Sequence, residues 1–198
     1  MTKPSTDTAQ ASPTKQFFVL MLTRDISLAD AILDLLDNCL DGARRLAKDG
    51  AVDYAKHFVK IEIAEDHFLI VDNCGGIPRE VAKDYAFKMG REPDDNRDSD
   101  AETIGMYGVG MKRAIFKMGR NAWVRTRHGD DTFEVPITLQ WLEAKNWDPL
   151  PINESSEQLD ESGTTIYVGD LYEGVSRHFA NEAFEKDRKS TRLNSSHW

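Results

Sequence analysis

Four clusters in the 198-residue chain have residue types and spacings that can do chemistry. Asp34, Asn38 and Asp41 are four and three residues apart, so on a helix they project from one side as a stack of oxygen-bearing groups. Such a stack is either a solvated face or a reaction surface. A solvated face usually mixes Lys with Glu, and Asn is a mediocre helix former. Asp72 closes an apolar run and is followed by Gly75 and Gly76. A carboxylate there can accept a hydrogen bond from an exocyclic amine while the glycines let a flat ring approach the backbone. The same residues also suit an ordinary Asn/Asp-Gly turn. Gly105, Gly108 and Gly110 precede a helical run with Lys112 in its first turn. That order places free backbone N–H groups and the positive end of a helix around an anion, or else makes a flexible hinge. The spacing is not the dinucleotide fingerprint, and the GK[ST] of a Walker A loop is absent. Gly163-Thr164-Thr165 brings a hydroxyl to the start of a strand and carries no meaning by itself.

The elements that must position these groups are legible from periodicity. Residues 27–48 repeat apolar side chains (Leu28, Ile32, Leu35, Cys39, Ala43, Leu46) at spacings of three and four, which predicts an amphipathic helix. Ser27 and Asp30 resemble a capping box, and Gly50 supplies a stop. Arg44, Arg45 and Lys48 gather at the helix end, where cations favour its dipole. The run 16–22 (QFFVLML) reads as a strand or a packed arm. Residues 58–64 and 67–71 alternate as a hairpin, and Pro78 opens a helix over 79–88. The acidic, aperiodic run 89–103 reads as a mobile surface loop. Residues 111–119 form a helix. A second hairpin follows over 122–127 and 132–139, then an irregular stretch 141–161, a strand 163–168 and a helix from 174.

Composition bounds the class. Forty per cent hydrophobic and 30 per cent charged residues describe a globular protein with a real core. No apolar run approaches the roughly 18 residues of a membrane span, and no secretory leader is visible, so a cytoplasmic protein is expected. A net charge of −9 gives no indication of a nucleic-acid partner. Two cysteines, Cys39 and Cys74, have no metal spacing and read as reduced, buried thiols.

Taken in order, the clusters resemble the Bergerat-fold ATPases, the superfamily of the DNA gyrase B subunit, heat-shock chaperone 90, sensor histidine kinases and the mismatch-repair clamp protein. That pattern is an acid and an Asn four residues apart on a helix, then DxGxG, then a glycine-rich lid before a helix, then a GT pair. Here these are Asp34/Asn38, Asp72 to Gly76, Gly105 to Gly110, and Gly163-Thr164. The stretch IGMYGVGMKRAIFKMG is most similar to microrchidia-type members, which share its Tyr-Gly-x-Gly-x-Lys arrangement.

The resemblance implies an α+β two-layer sandwich, with a mixed, mostly antiparallel sheet and helices on one face. It implies ATP and Mg²⁺ as ligands, and ATP hydrolysis by a domain of a larger protein that forms a nucleotide-dependent homodimer. Asp34 would deprotonate the attacking water, with Asp37 a less favoured substitute, and Asn38 would ligate Mg²⁺. Asp72 would accept the adenine amino hydrogen, supported by Thr164 and the nearby Gly76. Gly105, Gly108, Val109, Gly110 and Met111 would form the phosphate loop, with Lys112 neutralising charge, and residues 89–103 would form the lid. Two departures stand out: the usual Glu is Asp34, one methylene shorter, and the first glycine of DxGxG is Cys74. The alternatives are a non-hydrolysing, ATP-gated interaction module and a histidine-kinase-type phosphotransferase. The expected organisation is a disordered leader at 1–15, the ATP-binding domain at 16–186 and a non-native tail at 187–198. Residues 187–197 of that tail resemble a translated sequencing adapter.

Overall fold

The computed structural model describes residues 11–47, 51–89, 109–155, 157 and 159–181. Gly105 and Gly108, the loop 89–103 beyond Met89, the stop at Gly50, the first ten residues of the leader and the tail 187–198 lie outside them.

Helix α1 spans Lys15–Thr23 and is capped by Thr14, whose hydroxyl accepts from the Phe17 N–H at 3.2 Å. A strand or packed arm is the reading of 16–22, and the strand is corrected to a helix. Val19 is the lone β-branched residue of that run, and Thr14 supplies the cap that a helix needs. Val19 and Leu22 pack against the core, while Phe17 and Leu20 stay exposed. Lys15 is buried; its ammonium donates to the Trp141 carbonyl at 2.6 Å and lies 4.0 Å from the centre of that indole.

Helix α2, Leu28–Leu46, follows. The Ser27 hydroxyl accepts from the Asp30 N–H and donates to the Asp30 carboxylate at 2.7 Å. The short Asp side chain thus bonds the hydroxyl rather than reaching back as a full capping box would. Of the expected apolar stripe, Leu35, Cys39 and Ala43 are buried and Leu28 and Ile32 are partly buried against the core, where Ala31 joins them. Leu46, assigned to the same apolar face, is nearly half exposed.

Strands β1 (Val59–Ile63) and β2 (His67–Asp72) form the expected hairpin. After Pro78, α3 (Arg79–Val81) widens at once into a π-type turn over Ala82–Ala86, where a regular helix is expected. Helix α4 (Gly110–Met118) runs directly into β3 (Gly119–His128), which turns back at Gly129 into β4 (Asp131–Ile137). Thr138 caps a short α5 (Leu139–Glu143), which begins at the last residue expected of the second hairpin and runs into the stretch 141–161 expected to be irregular; β5 (Asn153–Glu154), β6 (Gly163–Leu171) and α6 (Glu173–Phe179) complete the described chain.

The six strands make one sheet in the order β1-β2-β6-β3-β4-β5, and every described pairing is antiparallel. The parallel component expected of a mixed sheet has no counterpart among the described residues. Phe68, Ile70, Val124, Ile166 and Val168 belong to one core with Ala31 and Leu35 of α2 and Ala114, Ile115 and Phe116 of α4. Residues of alternate register carry a ladder of Trp123, Tyr167 and His67, with ring centres 5.4 and 5.7 Å apart. The architecture is therefore α+β in two layers. No helix among the described residues is long and apolar enough to cross a membrane.

Candidate active site

Strand register does the first part of the assembly. Val71 pairs with Thr165 and Thr126 with Thr164, so Asp72, Thr164 and Thr126 line up across three adjacent strands. The Asp72 carboxylate accepts from the Cys74 N–H at 2.7 Å and from the Cys39 thiol at 3.5 Å. Burial pushes its pKa up, opposed by those two donors and by the Thr164 backbone N–H. Burial likewise pushes the Cys74 thiol up to about 12, with the Asp72 charge adding to the shift. Both cysteines are free, buried thiols. Thr126 is fully buried; its hydroxyl accepts from the Ile77 N–H at 2.8 Å, donates to the Gly163 carbonyl and lies 3.3 Å from the Thr164 hydroxyl.

The glycines around Asp72 answer a packing demand. Gly76 has φ +69°, and a Cβ there would lie 2.0 Å from the Arg127 carbonyl oxygen. A Cβ on Gly163 would lie 2.0 Å from the Asp72 carbonyl oxygen. Backbone itself closes against backbone at both points, which only glycine permits.

Helix α2 supplies the second wall. A Cβ on Gly42 would come 2.5 Å from the Cys74 carbonyl, so the helix rests directly on the loop that follows Asp72. Along its stripe, Asn38 is exposed, Asp41 is buried and bonded to Arg44 at 3.4 Å, and Asp34 is partly exposed. Asp37 is half-buried; burial raises its pKa, and the neighbouring Asp34 and Asp41 add to the rise.

Helix α4 supplies the third wall. Val109 stands at its N-cap position, and the Cβ position of Gly110 lies 3.5 Å from Asp34 Cβ, so the amino end of α4 sits over Asp34. Arg113, one turn further, donates to Asp34 Oδ2 through Nη2 at 2.7 Å and Nε at 3.2 Å. Met111 packs against the core. Lys112 is fully buried and donates to the Ala86 carbonyl at 2.8 Å, meeting the end of the π-type turn. Lys112, expected to neutralise phosphate charge, thus has its ammonium on the Ala86 carbonyl, and Arg113 is the neighbouring cation that carries its charge to Asp34. Arg113 carries a sequence signal of its own, three positions after Gly110 in the first turn of α4, but the adjacent Lys112 is the residue that the motif points to.

The description "Histidine kinase-, DNA gyrase B-, and HSP90-like ATPase" belongs to the family whose pattern matches residues 26–165. The match contains every element that walls the site. The chain belongs to that family. Among curated proteins none matches it. As a histidine kinase-, gyrase B- and HSP90-like ATPase it carries the family's ATP-binding fold, and its general activity is of the ATPase or kinase type. The donor set fits a nucleotide-borne cation. Among the described residues no group of three or more His, Cys, Asp or Glu can hold a metal alone, whereas exposed Asn38 offers one hard oxygen. That suits Mg²⁺, which keeps waters and takes phosphate oxygens.

Proposed function

We propose that this domain binds ATP with Mg²⁺ and hydrolyses it slowly, as the nucleotide-gated part of a larger cytoplasmic protein that dimerises around ATP. The observation that carries the reading is the seating of the α4 amino end over Asp34, on a helix that rests against the loop after Asp72. Asp72 accepts the adenine amino hydrogen, and Thr164, opposite it across the strand pair, supports that contact. The guanine carbonyl would face the same carboxylate, which disfavours GTP. Gly105, Gly108, Val109 and Gly110 lead into α4, whose amino-terminal N–H groups suit phosphate oxygens. Asn38 would hold Mg²⁺, which when bound would neutralise charge on the phosphates. Asp34 orients the attacking water and takes its proton. Its side chain is one methylene shorter than the usual Glu, which supports slow turnover.

Calorimetry with a non-hydrolysable ATP analogue, with and without Mg²⁺, tests the binding. Mg²⁺-strengthened binding with little affinity for GTP is expected; no binding by folded protein, or equal affinity for GTP, overturns the reading. Binding of ATP without any release of phosphate would instead identify a non-hydrolysing, ATP-gated module.

A further inference from the structure

Arg113 gives the site a group that the nucleotide reading does not require. Its guanidinium grips a single carboxylate oxygen of Asp34, with contacts of 2.7 and 3.2 Å from two nitrogens. Neither partner is locked in the interior: the side chains are 35% and 25% exposed. A partly solvated ion pair of this kind contributes little stability and exchanges readily for a better counter-ion. Arg113 also stands in the first turn of α4, where a positive side chain is opposed by the helix dipole, and that turn contains no acid. Its counter-charge comes from across the helix interface, from Asp34. Lys112 beside it turns away into the protein, to Ala86. At this helix end, then, the ion pair that a cation of fork geometry makes among the described residues is with the side chain assigned to activate water.

We propose that Arg113 is a phosphate-responsive switch residue: it neutralises Asp34 when no nucleotide is present, and exchanges that carboxylate for a terminal phosphate oxygen when ATP binds. The fork that holds a carboxylate matches phosphate equally well, and the polyphosphate offers more negative charge than one Asp. The exchange leaves Asp34 with an unneutralised carboxylate at the moment water must be activated, so Asp34 is freed only in the occupied site. This inference rests on the nucleotide reading above.

Because Arg113→Met alone would also strand the Asp34 charge, the test removes that charge first. The affinity of a non-hydrolysable ATP analogue, and of adenosine, is measured by calorimetry for wild type, Asp34→Asn, and Asp34→Asn with Arg113→Met. The expected result is that adding Arg113→Met to Asp34→Asn weakens the ATP analogue about tenfold, the scale of a lost charge-assisted hydrogen bond, and leaves adenosine unchanged. Arg113→Lys in the same background recovers part of the loss, since it keeps the charge without the fork. Equal affinity of the single and double variants for the ATP analogue would show that Arg113 serves Asp34 alone, and overturns the proposal. A parallel loss of adenosine affinity overturns it too, as a sign of general damage to the site. If wild type binds neither ligand, the nucleotide reading fails and this inference fails with it. Should the double variant not fold by circular dichroism, Arg113→Gln carries the same comparison.

Discussion

Gly76 and Gly129 both lie at positive φ, +69° and +62°, yet they answer different demands. Gly129 sits at a hairpin tip with nothing within 4 Å of its Cβ position, whereas Gly76 would thrust a Cβ to 2.0 Å from the Arg127 carbonyl. Gly129→Ala therefore meets only the left-handed strain, about 1 kcal/mol, and lowers the melting temperature by about 3 °C. Gly76→Ala adds a collision between backbones that cannot relax, and loses about 3 kcal/mol or more, about 10 °C. Similar melting temperatures for the two variants would refute this account of the DxGxG glycine. At Asp72 the argument runs through charge. Burial holds its folded pKa above the ordinary 3.8, so its contribution to stability is complete below that value and is lost as pH rises through the folded pKa. Asp72→Asn removes this titration while keeping an acceptor for the Cys74 N–H. The variant is expected to gain on wild type in thermal stability from pH 4 to pH 8, and to bind no adenine nucleotide. A stability difference that stays flat with pH would sink the argument.

Helix α2 was legible almost whole, because a single apolar stripe and a Ser cap leave few alternatives. Helix α1 was not: a run of seven residues with apolar side chains on every side has no period, and its decisive feature is Thr14, a cap lying outside the run. The site's residue types could be read in order, but not which side of α4 each cation takes. Lys112 and Arg113 are adjacent, about 100° apart on a helix, and one goes to Ala86 while the other goes to Asp34. Nor does sequence alone reveal that Gly42 is where α2 touches the loop after Asp72. Replacing Gly by Ala inside a helix normally gains up to about 1 kcal/mol. Here the added Cβ would stand 2.5 Å from the Cys74 carbonyl, so Gly42→Ala is expected to lower the melting temperature and weaken nucleotide binding together. A more stable variant with normal affinity would contradict the packing of α2 on that loop. Asn38→Ala is the complement. Asn38 is exposed, so stability should hold or rise by a few tenths of a kcal/mol, while Mg²⁺ should no longer strengthen binding of an ATP analogue. Undiminished Mg²⁺ dependence would remove Asn38 from its assigned role.

At the scale of the whole molecule, the sheet separates two ends. Asp72 at the end of β2, Thr164 at the start of β6 and Gly110 at the start of α4 gather at one of them. Following β6 and α4 to their other ends leads to Leu171 and Met118, where α1, α5 and α6 surround a cavity of about 720 Å³. Motif order could foretell the first end, since each wall carries a recognisable group. It could not foretell the second, whose elements are held by generic contacts: Lys15 on the face of Trp141, Lys117 on the Thr23 carbonyl, Phe18 edge-on to Trp147. If the two ends are energetically separate, α1 can be loosened without disturbing the site. Lys15→Ala removes both the bond to the Trp141 carbonyl and the cation over its ring, a loss of about 1–2 kcal/mol. Hydrogen exchange should then quicken for the α1 amides, at Lys15–Thr23, while those of β2 and β6 keep their protection and the ATP analogue binds with unchanged affinity. Deprotection spreading into β2 and β6, or a fall in nucleotide affinity, would mean that α1 is part of the structure that holds the site and that the two ends are coupled through α4.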